Sequence, residues 1–392
     1  MKWQHPLKFA RVSVMSLPSD LRTWVTIDRE ALEYNLKEFL RIIPAKTRFM
    51  AVVKSNAYGH GLTHVAAVQT AIHDFNKKGW FGVDSIVEAL RLRQEGVVRP
   101  ILVLGHTLVP RMEEAAEHGI ALTISQRTSL QALGKLKKRP QFHLKIDTGM
   151  HRQGFLPYEL PSVMAVLAAA KLSPEGIYTH FAAAKDINDP EYTFLQFSRF
   201  QEALKQFEMC GIKPLVRHAA ASGATLLFPQ THLDMVRVGM GLYGHWPSME
   251  SKATHQKKVK LHPALAWKTL VSELKTIPKG SYVGYDLTEQ TMRKTKIAVL
   301  PIGYWHGYDR GFSNMGKVLI RGNSARVLGR VSMDMIVVDV TDISGVRIQD
   351  EVTLIGGLET GPVHASALAS LIHTTPYELF TRINPLIKRI LV

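Results

Sequence analysis

Apolar residues in the first two thirds of this chain fall into short, nearly unbroken runs: Phe49–Lys54, Trp80–Val83, Ile101–Leu104, Ala121–Ile124, Phe142–Ile146, Gly176–His180, Leu215–Arg217 and Met235–Val238. Each run is too short for a helix and too continuous for a strand with one wet face, which is how strands buried on both faces read. Segments of helical spacing separate them. Alternating strand and helix predict a parallel sheet, and eight such units predict an α/β fold of the (β/α)8 barrel type. Lys54, Asp147, His180, Ser222 and Gly239 sit at or just past the ends of the proposed strands, the face on which barrel enzymes keep their chemistry.

After about residue 250 the runs become shorter and are punctuated by glycine and charged turns, as at Ile297–Pro301, Val318–Ile320, Ile336–Val340 and Val352–Ile355. This predicts a mainly β C-terminal domain. The polar, basic stretch Met249–Leu261 reads as the linker before it.

Length and composition support two domains: 392 residues with 46% hydrophobic content can bury a large core. The formal charge of +16 raises nucleic acid or an anionic surface as a partner. Its two densest runs, Lys135–Arg139 and Lys257–Lys260, carry no interleaved aromatics, so they read as solvated faces, with neither nucleic acid nor membrane expected as a partner. Cys210 is the only cysteine, which excludes an intrachain disulfide and a cysteine-rich metal site; no metal is expected, and a reducing, cytoplasmic setting fits. Met1–Pro18 holds no sustained apolar stretch, so neither a signal peptide nor a membrane span is expected.

The candidate chemistry begins at Lys54, which closes an apolar run and opens into the turn Ser55-Asn56-Ala57-Tyr58-Gly59-His60-Gly61. Desolvation at a strand end lowers a lysine pKa and frees the amine as a covalent nucleophile or general base. On position alone, a lysine snorkelling to water accounts for it equally well. Lys145 lies inside another apolar run, where an ammonium without a counter-charge is costly, and Asp147 is one available partner. Arg237 sits in a strand that otherwise reads as core.

The string AVVKSNAYGHG at Ala51–Gly61 closely resembles the pyridoxal-phosphate lysine motif of alanine racemases, and further matches follow in that family's order along nearly the whole chain. The resemblance implies that Lys54 carries pyridoxal 5'-phosphate and that Tyr58 contacts its phosphate, together with Ser222 and the Gly239 and Met240 amides. His143–Gly154 resembles the segment in which the lysine matching Lys145 is carbamylated and orients the arginine matching Arg152, which contacts the cofactor's phenolic oxygen and the substrate carboxylate. Asp234–Met240 resembles the segment whose arginine, here Arg237, faces the pyridine nitrogen, and His180 matches the histidine linking it to the catalytic tyrosine. A guanidinium donates a hydrogen bond without surrendering its proton, which would leave that nitrogen unprotonated. Val283-Gly284-Tyr285-Asp286 resembles the catalytic tyrosine motif and Pro301-Ile302-Gly303-Tyr304 the second family tyrosine; Gly329–Asp334 matches a segment in which the residue corresponding to Met333 offers its amide to the substrate carboxylate.

The family likeness thus implies racemisation of L- and D-alanine by two bases, Tyr285 acting on the L and Lys54 on the D enantiomer, with D-alanine supplied to peptidoglycan. It also implies a substrate entrance lined by Tyr304, Arg310 and Arg330, and a homodimer whose sites are shared between subunits. Thr23–Ile27 is expected to join the β domain. The expected division is residues 1–27 as an extension plus that strand, 28–250 as the barrel and 251–392 as the β domain. Departures from the pattern are Ala221 for an asparagine, Lys185 for an acid, Trp305-His306 within the second tyrosine motif, and Pro385 where a phosphate-binding tyrosine often stands. They point to a roomier, more positive pocket with some activity on serine or another small amino acid. A related decarboxylase is disfavoured because Cys210 lies outside any catalytic motif, and a barrel-only cofactor carrier because residues 251–392 are present.

Overall fold

In the computed structural model, residues 20–392 are described except Leu215, Leu358 and Glu359. The expected N-terminal extension up to residue 19 and the first residue of the Leu215 run therefore lie outside the described residues. The chain divides into two compact units: one holds residues 30–57 and 62–262, the other the described residues up to 29 together with 58–61 and 263–392.

The strand β1 (Thr23–Ile27) precedes the first unit, whose strands are β2 (Arg48–Val52), β3 (Gly79–Val83), β4 (Ile101–Val103), β5 (Ile120–Ile124), β6 (Phe142–Lys145), β7 (Gly176–Tyr178), β8 (Val216–His218) and β9 (Met235–Val238). All neighbouring pairs are parallel, and β2 takes both β3 and β9 as partners. Between β8 and β9 the ring is completed by a bridge from Ala221 to Arg237, with Arg237 N–H donating to Ala220 O and Asp234 N–H to Arg217 O, both at 3.0 Å. The unit is a (β/α)8 barrel. Its strands are so thoroughly buried that β3 and β5 have no exposed position, which is why they appear in the sequence as unbroken apolar runs. Helices cover the outside; in Arg29–Ile42 the buried Leu32, Leu36 and Phe39 recur at helical spacing.

The stretch read as a linker belongs to the barrel unit. Ser248 caps a helix over Met249–His255 by accepting the Ser251 amide at 3.1 Å. Val259 and Leu261 beyond it are buried. The chain is then pinned at His262, whose N–H donates to Asn35 Oδ1 at 2.8 Å while Tyr34 stacks on its ring at 4.3 Å. Surface lysines made this segment look like a connection, although the residues that hold it are apolar and sparse.

The second unit contains β1, β10 (Leu265–Leu270), β11 (Glu273–Ile277), β12 (Thr295–Leu300), β13 (Lys317–Ile320), β14 (Asn323–Leu328), β15 (Ile336–Asp339), β16 (Glu351–Ile355) and β17 (Arg389–Leu391). They form a mostly antiparallel sheet in the order β11-β12-β15-β14-β13-β16-β10-β1-β17. The alternating burial of β10, with every second residue inside, is the mark of a strand with one core face. Pairing of β1 with both β10 and β17 closes this unit's termini together.

Candidate active site

Lys54 leaves β2 into a left-handed turn that Asn56 and Gly59 suit but Ser55, Ala57 and Tyr58 do not. Ser55, Asn56, Ala57 and Tyr58 all take φ between 52° and 55°, the left-handed region, before Gly59 continues at 82°. Such conformations cost L-residues about 1–2 kcal/mol each. The turn is held by Ala57 N–H on Val53 O (2.8 Å), by Asn56 N–H on Glu88 Oε1 (3.2 Å) and by Asn56 Oδ1, which accepts the Leu62 amide at 2.9 Å. Lys54 Nζ is thereby aimed to 3.7 Å from Asp84, just past β3. Tyr58 falls in the second unit, where its ring meets Tyr377 edge-on with centroids 6.0 Å apart. Arg389 secures that segment by donating to Gly59 O at 3.1 Å and to three carbonyls of the Ile383–Ile387 turn, in which Pro385 is exposed.

Inside the barrel, Arg237 on β9 is only 3% exposed. Its guanidinium donates to His218 Nδ1 (2.8 Å), His180 Nδ1 (3.2 Å) and the carbonyls of Thr179 and Ala219 (2.7 and 2.9 Å). Burial pulls it down to about 10, so it stays charged at neutral pH. Because a guanidinium only donates, both histidine Nδ1 atoms must accept, so both rings are neutral with the proton on Nε2. That leaves His218 Nε2–H to donate to His143 Nδ1, 2.8 Å away. Burial is the main cause that holds His180 and His218 well below the usual histidine value, and Arg237 adds to it in both. His143 is lowered by burial as well, against an upward pull from Glu175.

These three buried imidazoles make a pH prediction with a definite sign. Their native pKa values lie below the unfolded value near 6.5, so the stability they contribute is present above that pH and is lost as pH falls through and below it. The unfolded state then binds up to three more protons, a slope of up to about 4 kcal/mol per pH unit. Melting temperatures recorded from pH 7.5 to 5.0 should hold steady to about 6.5 and then drop sharply. A flat profile would show that the histidines are not buried neutral.

Lys145, at the end of β6, is 7% exposed and donates from Nζ to Gln153 Oε1 at 3.0 Å. Burial, then Arg237 and Arg152, with a smaller share from Lys54, push its amine down to about 8, against an upward pull by Asp147. Asp147 itself is committed elsewhere, its carboxylate accepting the amides of Gly149, Met150, His151 and Arg152 at 2.9–3.1 Å. Burial opposes its ionisation, but those amides hold it below the ordinary carboxylate value. Arg152 is exposed on the same turn. Ser222 and Gly239 are brought together as the sequence suggested: Ser222 Oγ accepts the Gly239 amide at 3.0 Å, and Met240 beside it is buried.

This mouth suits an anionic guest. Arg237, Arg152, Lys145 and Lys54 all act on His180 in the same direction, and Ser222 with the amides around Gly239 adds neutral donors. Pyridoxal phosphate, with a phosphate, a phenolic oxygen and an aldehyde for an amine, matches that donor set.

The second unit carries its own group. Tyr285 is 68% exposed between Gly284 at φ 76° and Asp286 at φ 62°. Asp286 draws in Arg330 at 3.4 Å and Arg310 at 4.0 Å. The 283–284 turn packs closely on the next motif, since a Cβ on Gly329 would sit 2.3 Å from Val283 O. Tyr304 and Met333 are likewise tied, with Tyr304 N–H on Ser332 O and Trp305 N–H on Met333 O, both at 3.0 Å. His306 Nδ1 accepts the Gly303 amide at 3.1 Å and lies 4.0 Å from Asp334. A cavity of about 740 Å³ is lined here by Tyr304, Gly307, Asp309, Arg310 and Arg382. Lys185 is exposed on the barrel unit.

Three participants were not singled out from sequence: His218, His143 as its partner, and Gln153. His143 and His218 lie in short strands and Gln153 in the polar turn after β6; the available signal was that a buried polar side chain must find a hydrogen-bond partner.

Comparison with known proteins accounts for nearly the whole chain. The family description "Alanine racemase, N-terminal domain" matches residues 27–247, and "Alanine racemase, C-terminal domain" matches 264–391. A curated alanine racemase of Leptospira interrogans serovar Lai is 36% identical over 385 residues, covering 96% of this chain and 97% of that one. A solved alanine racemase of Clostridium difficile 630 superposes with a TM-score of 0.89 at 30% identity, over 95% of this chain and 96% of that one. A structure from Bartonella henselae, described as alanine racemase with covalently bound pyridoxal phosphate, superposes at 0.83 with 27% identity, over 95% and 100%.

Proposed function

The chain belongs to the alanine racemase family, and we propose that its residues carry out the family's two-base reaction as follows. The enzyme is an isomerase that interconverts L- and D-alanine with pyridoxal phosphate as cofactor. When bound, the cofactor acidifies the substrate's α C–H by drawing electron density from that carbon. Lys54 would hold it covalently, Tyr58, Ser222 and the Gly239 and Met240 amides its phosphate, Arg152 its phenolic oxygen and Arg237 its ring nitrogen. Neutral His180 and His218 keep Arg237 charged and fixed, so the ring nitrogen meets a donor that does not give up its proton.

Inversion needs a proton holder on each face of the α-carbon. Lys54 Nζ serves the face from which D-alanine loses its proton, and the Tyr285 phenol the other. Arg152 and the Met333 amide would orient the substrate carboxylate, with Tyr304, Arg310 and Arg330 at the entrance. Tyr285 is exposed together with Tyr282, Leu287, Met292, Tyr304, Trp305, Met333 and Met335. So much apolar surface around a catalytic side chain supports a homodimer in which this face meets a second copy's barrel. Among the described residues no helix is long and apolar enough to cross a membrane. By likeness to its family, the enzyme would work in the cytoplasm, where D-alanine would feed peptidoglycan.

The observation that carries this reading is the Arg237 cluster: a buried cation with no carboxylate among its hydrogen-bond partners, held by two neutral histidines. The test is a coupled assay for D-alanine formed from L-alanine by purified protein with added cofactor, run beside L-serine. Robust alanine turnover is expected, with slower turnover of serine given Pro385. A visible cofactor band without alanine turnover would move the substrate to another amino acid, and no turnover of serine where alanine saturates would remove the broader specificity.

A further inference from the structure

Gln153 is half-buried two residues beyond His151, and its amide is used on one side only. Oε1 accepts from Lys145 Nζ at 3.0 Å, while Nε2 is buried and has no hydrogen-bond partner. A primary amide with one buried orphan donor is an expensive way to satisfy a lysine, because the unmet N–H costs about 1–3 kcal/mol. The arrangement makes sense if the group on Lys145 changes from a donor into an acceptor.

We infer that Gln153 is a positioning residue for carbamylation of Lys145, its amide oxygen orienting the free amine and its unpartnered amide nitrogen donating to an oxygen of the resulting carbamate. The inference rests on the reading of Lys145 as carbamylated and adds to it a residue that loads and holds the modification. In the step, the neutral Nζ lone pair forms a bond to the carbon of dissolved carbon dioxide, one C=O π pair moves onto oxygen, and a proton leaves Nζ for solvent; nothing is oxidised or reduced.

The surroundings favour both the reactant and the product. Only a neutral amine attacks carbon dioxide, and burial together with Arg237 and Arg152 brings Lys145 to about 8. The neutral fraction near pH 7.5 is then on the order of a hundred times that of an ordinary lysine. Of the charges acting on the site, Arg237, Arg152 and Lys54 are positive, and the one negative group, Asp147, already accepts four backbone amides. Changing Lys145 from cation to anion therefore relieves two guanidinium groups. Nε2 is attached to the same carbon as Oε1, so an oxygen borne on Nζ falls within its reach.

The experiment compares wild type, Gln153→Leu and the isosteric Gln153→Glu, each titrated with ¹³C-labelled bicarbonate at constant pH. Carbamate is followed by its carbonyl NMR signal, and folding by thermal melts. Wild type should carry carbamate at ambient carbon dioxide. Gln153→Leu should need about tenfold more for half-occupancy, the equivalent of one lost hydrogen bond, and its activity should recover with added bicarbonate. Gln153→Glu pairs with the ammonium and should remain uncarbamylated. Equal half-occupancy in Leu and wild type, or a carbamylated Glu variant, overturns the role of Gln153 alone. Wild type without carbamate at saturating bicarbonate overturns the reading of Lys145 and this role with it.

Discussion

Alanine in place of Lys54 should reduce racemisation by on the order of 10³-fold or more and remove the visible absorbance of the lysine-bound cofactor. The size follows from two losses at one atom. Nζ is the covalent anchor and also the proton holder on one face, and no other amine can replace it: Lys145 lies on β6 with its Nζ held by Gln153. The fold should be unaffected, since Lys54 is half-exposed and its one ion pair, with Asp84 at 3.7 Å, is of the kind that contributes little to stability. Coupled kinetics, an absorbance spectrum and a melt on the same preparation check all three statements. Residual turnover above about one per cent of wild type would mean that the anchor and the base are not the same residue.

Phenylalanine in place of Tyr285 should lower the rate by about 10²–10⁴-fold, the range for loss of a general acid–base group. Enantiomers are equal in free energy, so kcat/KM must fall by the same factor in both directions whichever substrate the phenol serves. The asymmetry appears instead in deuterium oxide: D-alanine should still exchange its α-proton through Lys54 without inverting, while L-alanine should not exchange. The same variant tests the assembly. If Tyr285 serves the barrel of a second copy, unfolding and refolding Lys54→Ala with Tyr285→Phe yields mixed dimers with one intact and one doubly defective site. Random pairing of two such chains in a symmetric dimer returns about a quarter of wild-type activity. No recovery, with both proteins dimeric by light scattering, would place Lys54 and Tyr285 of one site in the same subunit.

The architecture was legible because parallel strands buried on both faces leave continuous apolar runs; β4, only three residues long, was still visible as Ile101-Leu102-Val103. The chemistry was legible mainly through the likeness of whole motifs, since Lys54 alone could have been a snorkelling lysine. The turn after it is legible as a turn but its left-handed run is not, because Ser55 and Ala57 are residue types that avoid positive φ and one of the bonds holding the segment comes from Glu88, which is distant in sequence. Gln153 and His218 were missed for a similar reason: a hydrogen-bond partner 8 or 19 residues away leaves no periodic trace. The segment Met249–Leu261 reads as a connection because its lysines from Lys252 to Lys260 outnumber the buried Ser251, Val259 and Leu261.

The left-handed turn also bears on how this protein can be improved. A designer seeking a hardier enzyme would put glycine at the exposed Ser55, whose side chain can be removed without opening a void, and the molecule would gain by shedding backbone strain. The same exchange would free the direction in which Lys54 points, since side chains that dislike their conformation are also what confines the backbone to it. Stabilisation drawn from this segment would come out of catalysis, whereas residues that never meet the lysine leave room for it at no such cost.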